Sequence, residues 1–189
     1  MSSRSSFVAS LALLSIGCAS APDAILGVRI TQPEAVPDPV ARAFERLRAL
    51  AGKWEGKSTK GWTEEVSFET IAGGSCVVES SFDAHPNEKM LTIFYMDGPQ
   101  LMLTHYCVAK NQPRLRATEF GDDATSITFT FQDATNLPSR DRGHMDKCHI
   151  RFLGPDRLSV RWTWFQDGQE KWMEEIEHRR VAPAPQPAS

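Results

Sequence analysis

From Lys53 onward, apolar and polar residues alternate with a period of two, in short runs broken by turn residues. The runs fall at 53–60, 62–71, 75–83, 90–96, 100–108, 114–120, 125–132, 144–153, 157–165 and 169–179. Between them lie Gly61, Gly73-Gly74, Pro86-Asn87, Asp97-Gly98, Gln112-Pro113, Gly121-Asp122-Asp123, Pro138 to Gly143, Gly154-Pro155 and Asp167-Gly168. Asp97-Gly98 between two apolar, β-branched and aromatic runs is a strong short-range hairpin signal. About ten strands joined mostly by tight turns predict an all-β fold, an antiparallel up-and-down β-barrel, because closure removes the edges a flat sheet would expose. The alternation points Val66, Phe68, Phe94, Leu101, Leu103, Ile127, Phe129 and Phe131 inward. Leu158, Val160, Trp162, Trp164, Trp172 and Ile176 share that direction. His105 and Cys107 are in phase with Leu101 and Leu103, so they are expected inside too. The longest break, 133–143, is polar and carries Arg140 and Arg142; it reads as a lid, a surface loop or a loose connection.

Before the strands the period changes. Asp38-Pro39 suits a helix start, a side-chain acceptor at the cap followed by a fixed φ. Val40, Phe44, Leu47 and Leu50 follow at helical spacing, with Arg42, Glu45, Arg46 and Arg48 mostly opposite, up to Gly52. A short N-terminal helix is therefore expected, packed on its own domain or, alternatively, lying on a membrane. The domain is expected to span 38–181, and the segment 182–189, APAPQPAS, to be a disordered tail.

Residues 1–17 read as an export signal: Arg4 supplies the positive end and Phe7 to Ile16 the apolar run, too short for the ~20 residues of a spanning helix. Its end, Leu14-Ser15-Ile16-Gly17-Cys18, resembles a bacterial lipobox, with Leu one residue further from the cysteine than usual. That implies lipidation at Cys18, a flexible tether over 18–37, and a bacterial cell-envelope protein anchored by lipid and facing the periplasm. The alternative is secretory cleavage near Ala19-Ser20-Ala21, which Pro22 disfavours. With Cys18 lipidated, Cys76, Cys107 and Cys148 remain, an odd number that permits at most one disulfide; Cys107–Cys148 stays open. The formal net charge of −3, without blocks of one sign, argues against nucleic acid as a partner.

Candidate chemistry concentrates in the return strand of the central hairpin and its exit, Thr104-His105-Tyr106-Cys107 and Asn111-Gln112-Pro113-Arg114. Imidazole, phenol, thiol, carboxamides and guanidinium so close together either build a polar site inside a barrel or satisfy backbone at a difficult corner. The candidate ligand-binding set is His105, Tyr106, Asn111, Gln112, Arg114 and His144.

Leu50-Ala51-Gly52-Lys53-Trp54-Glu55-Gly56 resembles the Gly-x-Trp opening of the calycin barrels: lipocalins, fatty-acid-binding proteins and nitrobindin-like haem barrels. The resemblance implies that Trp54 closes one end of the barrel and that Arg180, or Arg179, stacks on it. The whole span 44–180 is similar to a family of bacterial lipocalin-like proteins of unknown function. The residues carrying this are Gly52 to Gly56, Thr104 to Cys107, Asn111 to Arg114, Gly143-His144-Met145, Trp162 or Trp164, and Asp167-Gly168. Where that family leads one to expect a second histidine after Gly-His-Met, this chain has Asp146, which speaks against a two-histidine metal site there.

His105, Cys107, His144, Cys148 and His149 offer donors that zinc accepts, but no pair has tight ligand spacing, and no metal is assigned. A nitrobindin-like barrel implies haem held by a C-terminal histidine, and His178 is the positional candidate, with His105 or Tyr106 as alternatives; Glu174 and Arg180 in its phase suggest instead a wet strand end. His105 with Tyr106 and an acid such as Asp97 or Glu119 would suit proton transfer, yet no nucleophile motif accompanies them. The leading expectation is a non-catalytic barrel that binds a small apolar or amphipathic molecule. Its alternatives are a haem barrel or small enzyme using His105, and a structural envelope protein whose barrel is filled by its own side chains.

Overall fold

A computed structural model of the protein describes Ala35, residues 37–82 and residues 89–182. The expected signal, Cys18, nearly all of the tether, the Pro86-Asn87 turn and residues 183–189 lie outside these residues, as does the side chain of Trp172. Helix α1 spans Asp38–Arg48, with proline at its start fixing φ. Asp38 does not cap it: the boundary is Pro37, and Asp38 in the first turn pairs instead with Arg42 one turn on. The helix also ends earlier than Gly52, with Ala49 at its C-cap. Gly52 (φ +131°) then starts the sheet, in a conformation that favours glycine. Val40, Ala43, Phe44 and Leu47 are buried on one stripe, and the helix packs on its own barrel rather than presenting that stripe outward.

Ten antiparallel strands follow: β1 (Gly52–Ser58), β2 (Thr63–Ile71), β3 (Cys76–Phe82), β4 (Lys89–Asp97) and β5 (Gln100–Tyr106), then β6 (Gln112–Phe120), β7 (Ser126–Thr135), β8 (His144–Gly154), β9 (Arg157–Gln166) and β10 (Gln169–Arg180). Each pairs with the next, and β10 pairs back onto β1, so the barrel is closed. The expected all-β up-and-down barrel with a short N-terminal helix is the architecture found. β6 starts earlier than expected and takes in Gln112-Pro113. Proline is tolerated there because β5 pairs with β6 only over Met102–Thr104 opposite Arg114–Arg116, leaving Pro113 no ladder bond to make on that side.

Alternation fills the interior with Val66, Phe68, Val77, Phe94, Leu101, Leu103, Leu115, Ile127, Phe129, Leu158, Val160, Trp162 and Ile176, all buried. At the end covered by α1, Trp54 is 1 % exposed and its Nε1–H donates to the Leu50 carbonyl at 2.8 Å. Phe68 meets the indole edge-on at 6.2 Å, and the Arg180 guanidinium lies over it at 4.3 Å. The same guanidinium donates to the carbonyls of Ala49 (2.9 Å) and Ala51 (2.7 Å), satisfying acceptors where the helix stops. Arg179 points outward and pairs with Glu177, so Arg180 alone covers Trp54. Cys76, Cys107 and Cys148 form no disulfide. The opposite end carries the loops 59–62, 107–111, 136–143 and 167–168, and the polar interior lies toward it.

Candidate functional site

The six residues singled out from the sequence go to three different places. His105 faces inward and is 3 % exposed, with its ring 4.8 Å from that of Trp162. Tyr106, one residue on, is sent to the outer face by the strand alternation and is 46 % exposed. Arg114 is also outside, held by both oxygens of Asp133 (Nε to Oδ1 2.6 Å). Gln112 accepts from Thr135 (2.5 Å) and Asn136 (3.1 Å), binding β6 to the end of β7. Asn111 is buried and donates to the Gly143 carbonyl at 2.9 Å. Asn111, Gln112 and Arg114 therefore fasten a corner, and only His105 of the central motif lines the interior cavity.

His144 is completely buried beside the 136–143 loop. Its Nδ1–H donates to the Arg142 carbonyl at 2.6 Å, which leaves Nε2 to accept from Arg140. Arg140 also pairs with Asp146, and its guanidinium lies between the rings of Phe131 (4.2 Å) and Phe165 (4.0 Å). Burial, and the Arg140 charge after it, lower the His144 pKa and keep the ring neutral. Loop 136–143 is thus a fastened segment; the Asp141 carbonyl takes a further bond from the Asp167 amide at 3.0 Å.

His105 and His178 are joined in the interior by acids that were not among the candidate binding residues. Glu64 on β2, Glu79 on β3 and Glu174 on β10 are buried inside the barrel, with Ser58, Thr92, His105 and His178. Glu64 Oε1 and His178 Nε2 are 2.7 Å apart although their strands are not neighbours. They meet across Gly56 of β1, which is in register with both. A Cβ at Gly56 would lie 2.8 Å from Glu64 Cγ and from His178 Cδ2, so this glycine makes room for the pair. His178 and Glu174 are enclosed, which corrects the expectation of a wet strand end. Ser58 donates to Glu174 at 2.9 Å.

Beside that pair runs a second chain, Glu79–Thr92–His105. The Thr92 hydroxyl bonds the Glu79 carboxylate, and Thr92 Oγ1 is 3.0 Å from His105 Nδ1. Burial raises the Glu79 pKa from 4.5 to about 7, with the Glu64 charge adding to the shift and His178 and Thr92 opposing it. Burial alone lowers His105 from 6.5 to about 4. Burial, helped by the Glu79 charge, pushes the Cys148 pKa well up, so this residue is an un-ionised thiol. A cavity of about 30 Å³ lies among these groups, walled by Met90, Met145, Val160, Trp162 and half-buried Trp62. His105 Nε2 and His178 Nδ1 are buried without hydrogen-bond partners, and both residues line this cavity.

Among the described residues, no group of three histidine, cysteine, aspartate or glutamate side chains is arranged to hold a metal ion. His149 sits off the cavity, bonded to Thr128 at 2.9 Å. A porphyrin does not fit beside His178 in this arrangement: its Nε2 is taken by Glu64, and the cavity holds the volume of a few atoms. His105 has no proton-transfer partner in Tyr106, Asp97 or Glu119, since Tyr106 faces outward and both acids are exposed; the acid linked to it is Glu79. A wide depression lies on the outer face of β1 beside Glu55, Lys57, Glu65, Glu177 and Arg179, mostly exposed side chains open to solvent.

Fold and site together define a closed ten-stranded antiparallel barrel with an acidic, imidazole-bearing chamber. No protein-family model matches the chain, and no curated protein matches it in sequence. Glu64 and Glu79, absent from the candidates, did leave a signal: Glu64 is in phase with Val66 and Phe68, and Glu79 with Val77.

Proposed function

We propose that this protein is an exported, lipid-anchored, non-catalytic barrel of the bacterial cell envelope that binds a small amphipathic molecule. The molecule enters polar end first, and His105 is its central contact. The observation carrying this reading is the His105 imidazole, enclosed among carboxylates with Nε2 unpartnered. A buried polar atom without a partner costs ~1–3 kcal/mol, so such atoms are rare unless something else meets them. Met90, Met145, Val160 and Trp162 give the cavity apolar walls beside these polar groups, an amphipathic lining. The resemblance to calycin barrels and the Trp54–Arg180 stack support the same class.

The test is native mass spectrometry of the purified protein with an absorption spectrum. Wild type is expected to carry a bound mass, and His105→Leu to fold and lose it. A ligand-free wild type that differs from His105→Leu only in melting temperature would leave a barrel filled by its own side chains. A Soret band would favour haem instead. Anchoring has its own check: Cys18→Ser is expected to move the protein from the membrane fraction to the soluble periplasm. Identical fractionation of the two would refute lipidation at Cys18.

A further inference from the structure

We infer that the chamber of the barrel is a receptor for a primary ammonium group, so that the bound molecule is a small alkylamine. This rests on the binding reading above and adds the chemical class of the ligand. Three carboxyl side chains, Glu64, Glu79 and Glu174, line one cavity, and no lysine or arginine is among the described residues that line it. Two imidazoles, His105 and His178, line it as well, and His178 is engaged by Glu64.

The orphan atom of His105 has the matching polarity. With Glu79 as carboxylate, the Thr92 hydroxyl proton is committed to it, so Thr92 Oγ1 accepts from His105 Nδ1–H. His105 Nε2 is then a bare lone pair on a side chain 3 % exposed. His178 Nε2 is engaged by Glu64, and its Nδ1 is a second buried atom without a partner on the same chamber. A chamber of acceptors and negative charge is completed by a cation that carries several N–H donors. An ammonium has three donors on a compact centre, whereas a guanidinium is larger and flat. The cavity, about 30 Å³, admits a head of one or two heavy atoms and no more, so the alkyl chain lies outside it, past half-buried Trp62. A metal ion is the poorer fit, since no three ligands converge among the described residues.

Binding in this way is linked to a proton. The groups facing Glu79 are Glu64 on β2, His105 on β5, Cys148 on β8, and Glu174 and His178 on β10. With the Glu79 pKa near 7, an ammonium must displace its proton in acid, so affinity falls about fivefold from pH 7 to pH 6.

The experiment is calorimetric titration of the full chain with n-butylammonium, tetramethylammonium, n-butanol and zinc(II), beside the native mass spectrum. The expected result is saturable n-butylammonium binding, at least tenfold tighter than tetramethylammonium or butanol, and at least tenfold weakened in Glu79→Gln. The ligand comparison uses wild type alone, so it stands even if the variant does not fold. An amine identified as the copurifying molecule would also support the class. Equal binding of n-butylammonium and tetramethylammonium, or zinc binding without amine binding, would overturn it. A copurifying neutral or anionic compound with no amine binding would overturn the ammonium while leaving the binding barrel. Absence of any bound mass and of any titration would overturn both.

Discussion

Replacing Trp54 with alanine is expected to cost roughly 3–5 kcal/mol of stability, the range for large aromatic deletions in cores. The indole is 1 % exposed at the helix-covered end, and three contacts depend on it. Its N–H satisfies the Leu50 carbonyl, its edge meets Phe68, and its face carries the Arg180 guanidinium. Arg180 in turn binds the carbonyls of Ala49 and Ala51, so the helix end and the β1–β10 seam are held through one stack. Trp54→Phe keeps a ring but drops the N–H, and should recover most of the loss less about 1 kcal/mol for the hydrogen bond. Urea unfolding of the three proteins measures both values. A Trp54→Ala cost inside the ±0.5 kcal/mol scatter of surface changes would contradict the closure.

The second large effect is in pH. Glu79 rises from 4.5 to about 7 on folding, so the native state holds a proton that the unfolded chain has released. Its contribution to stability is complete below pH 4.5 and is lost as pH rises to 7, about 3 kcal/mol across that window. His105 falls from 6.5 to about 4, so its contribution is complete above pH 6.5 and is lost as pH falls to 4, again about 3 kcal/mol. Between pH 4.5 and 6.5 the two slopes oppose and nearly cancel in wild type. Removing either group should uncover the other. Glu79→Gln is expected to lose stability relative to wild type as the solution is acidified from pH 7 to 4.5. His105→Leu is expected to gain relative to wild type as pH falls from 6.5 to 4. Other titrating groups drop out of these differences, and curves parallel to wild type would show that neither residue is enclosed as described.

The barrel was legible because its signals are local. Period-two runs and turn pairs such as Asp97-Gly98 and Asp167-Gly168 mark strands and hairpins, and closure removes the edges a flat ten-stranded sheet would expose. Trp54 was legible from the motif around it. The chamber was not, for two reasons. Tyr106, Asn111, Gln112 and Arg114 are near His105 in sequence, but a strand turns its side chain over at each residue, and the corner then uses its polar groups for itself. Conversely, Glu64 and His178 stand 114 residues apart and meet only because β10 closes on β1 across Gly56. Carboxylates usually lie outside, so their inward phase carried little weight against residue type until the register was known.

The central claim, a chamber that receives a small molecule through His105, is tested most directly by a high-resolution crystal structure of the protein purified from the envelope without refolding. Continuous difference density is expected among His105, Glu79 and Trp162, extending past the volume of a single water toward Trp62, with an atom at hydrogen-bond distance from His105 Nε2. A chamber holding one ordered water or nothing, with Nε2 still unpartnered, would contradict it.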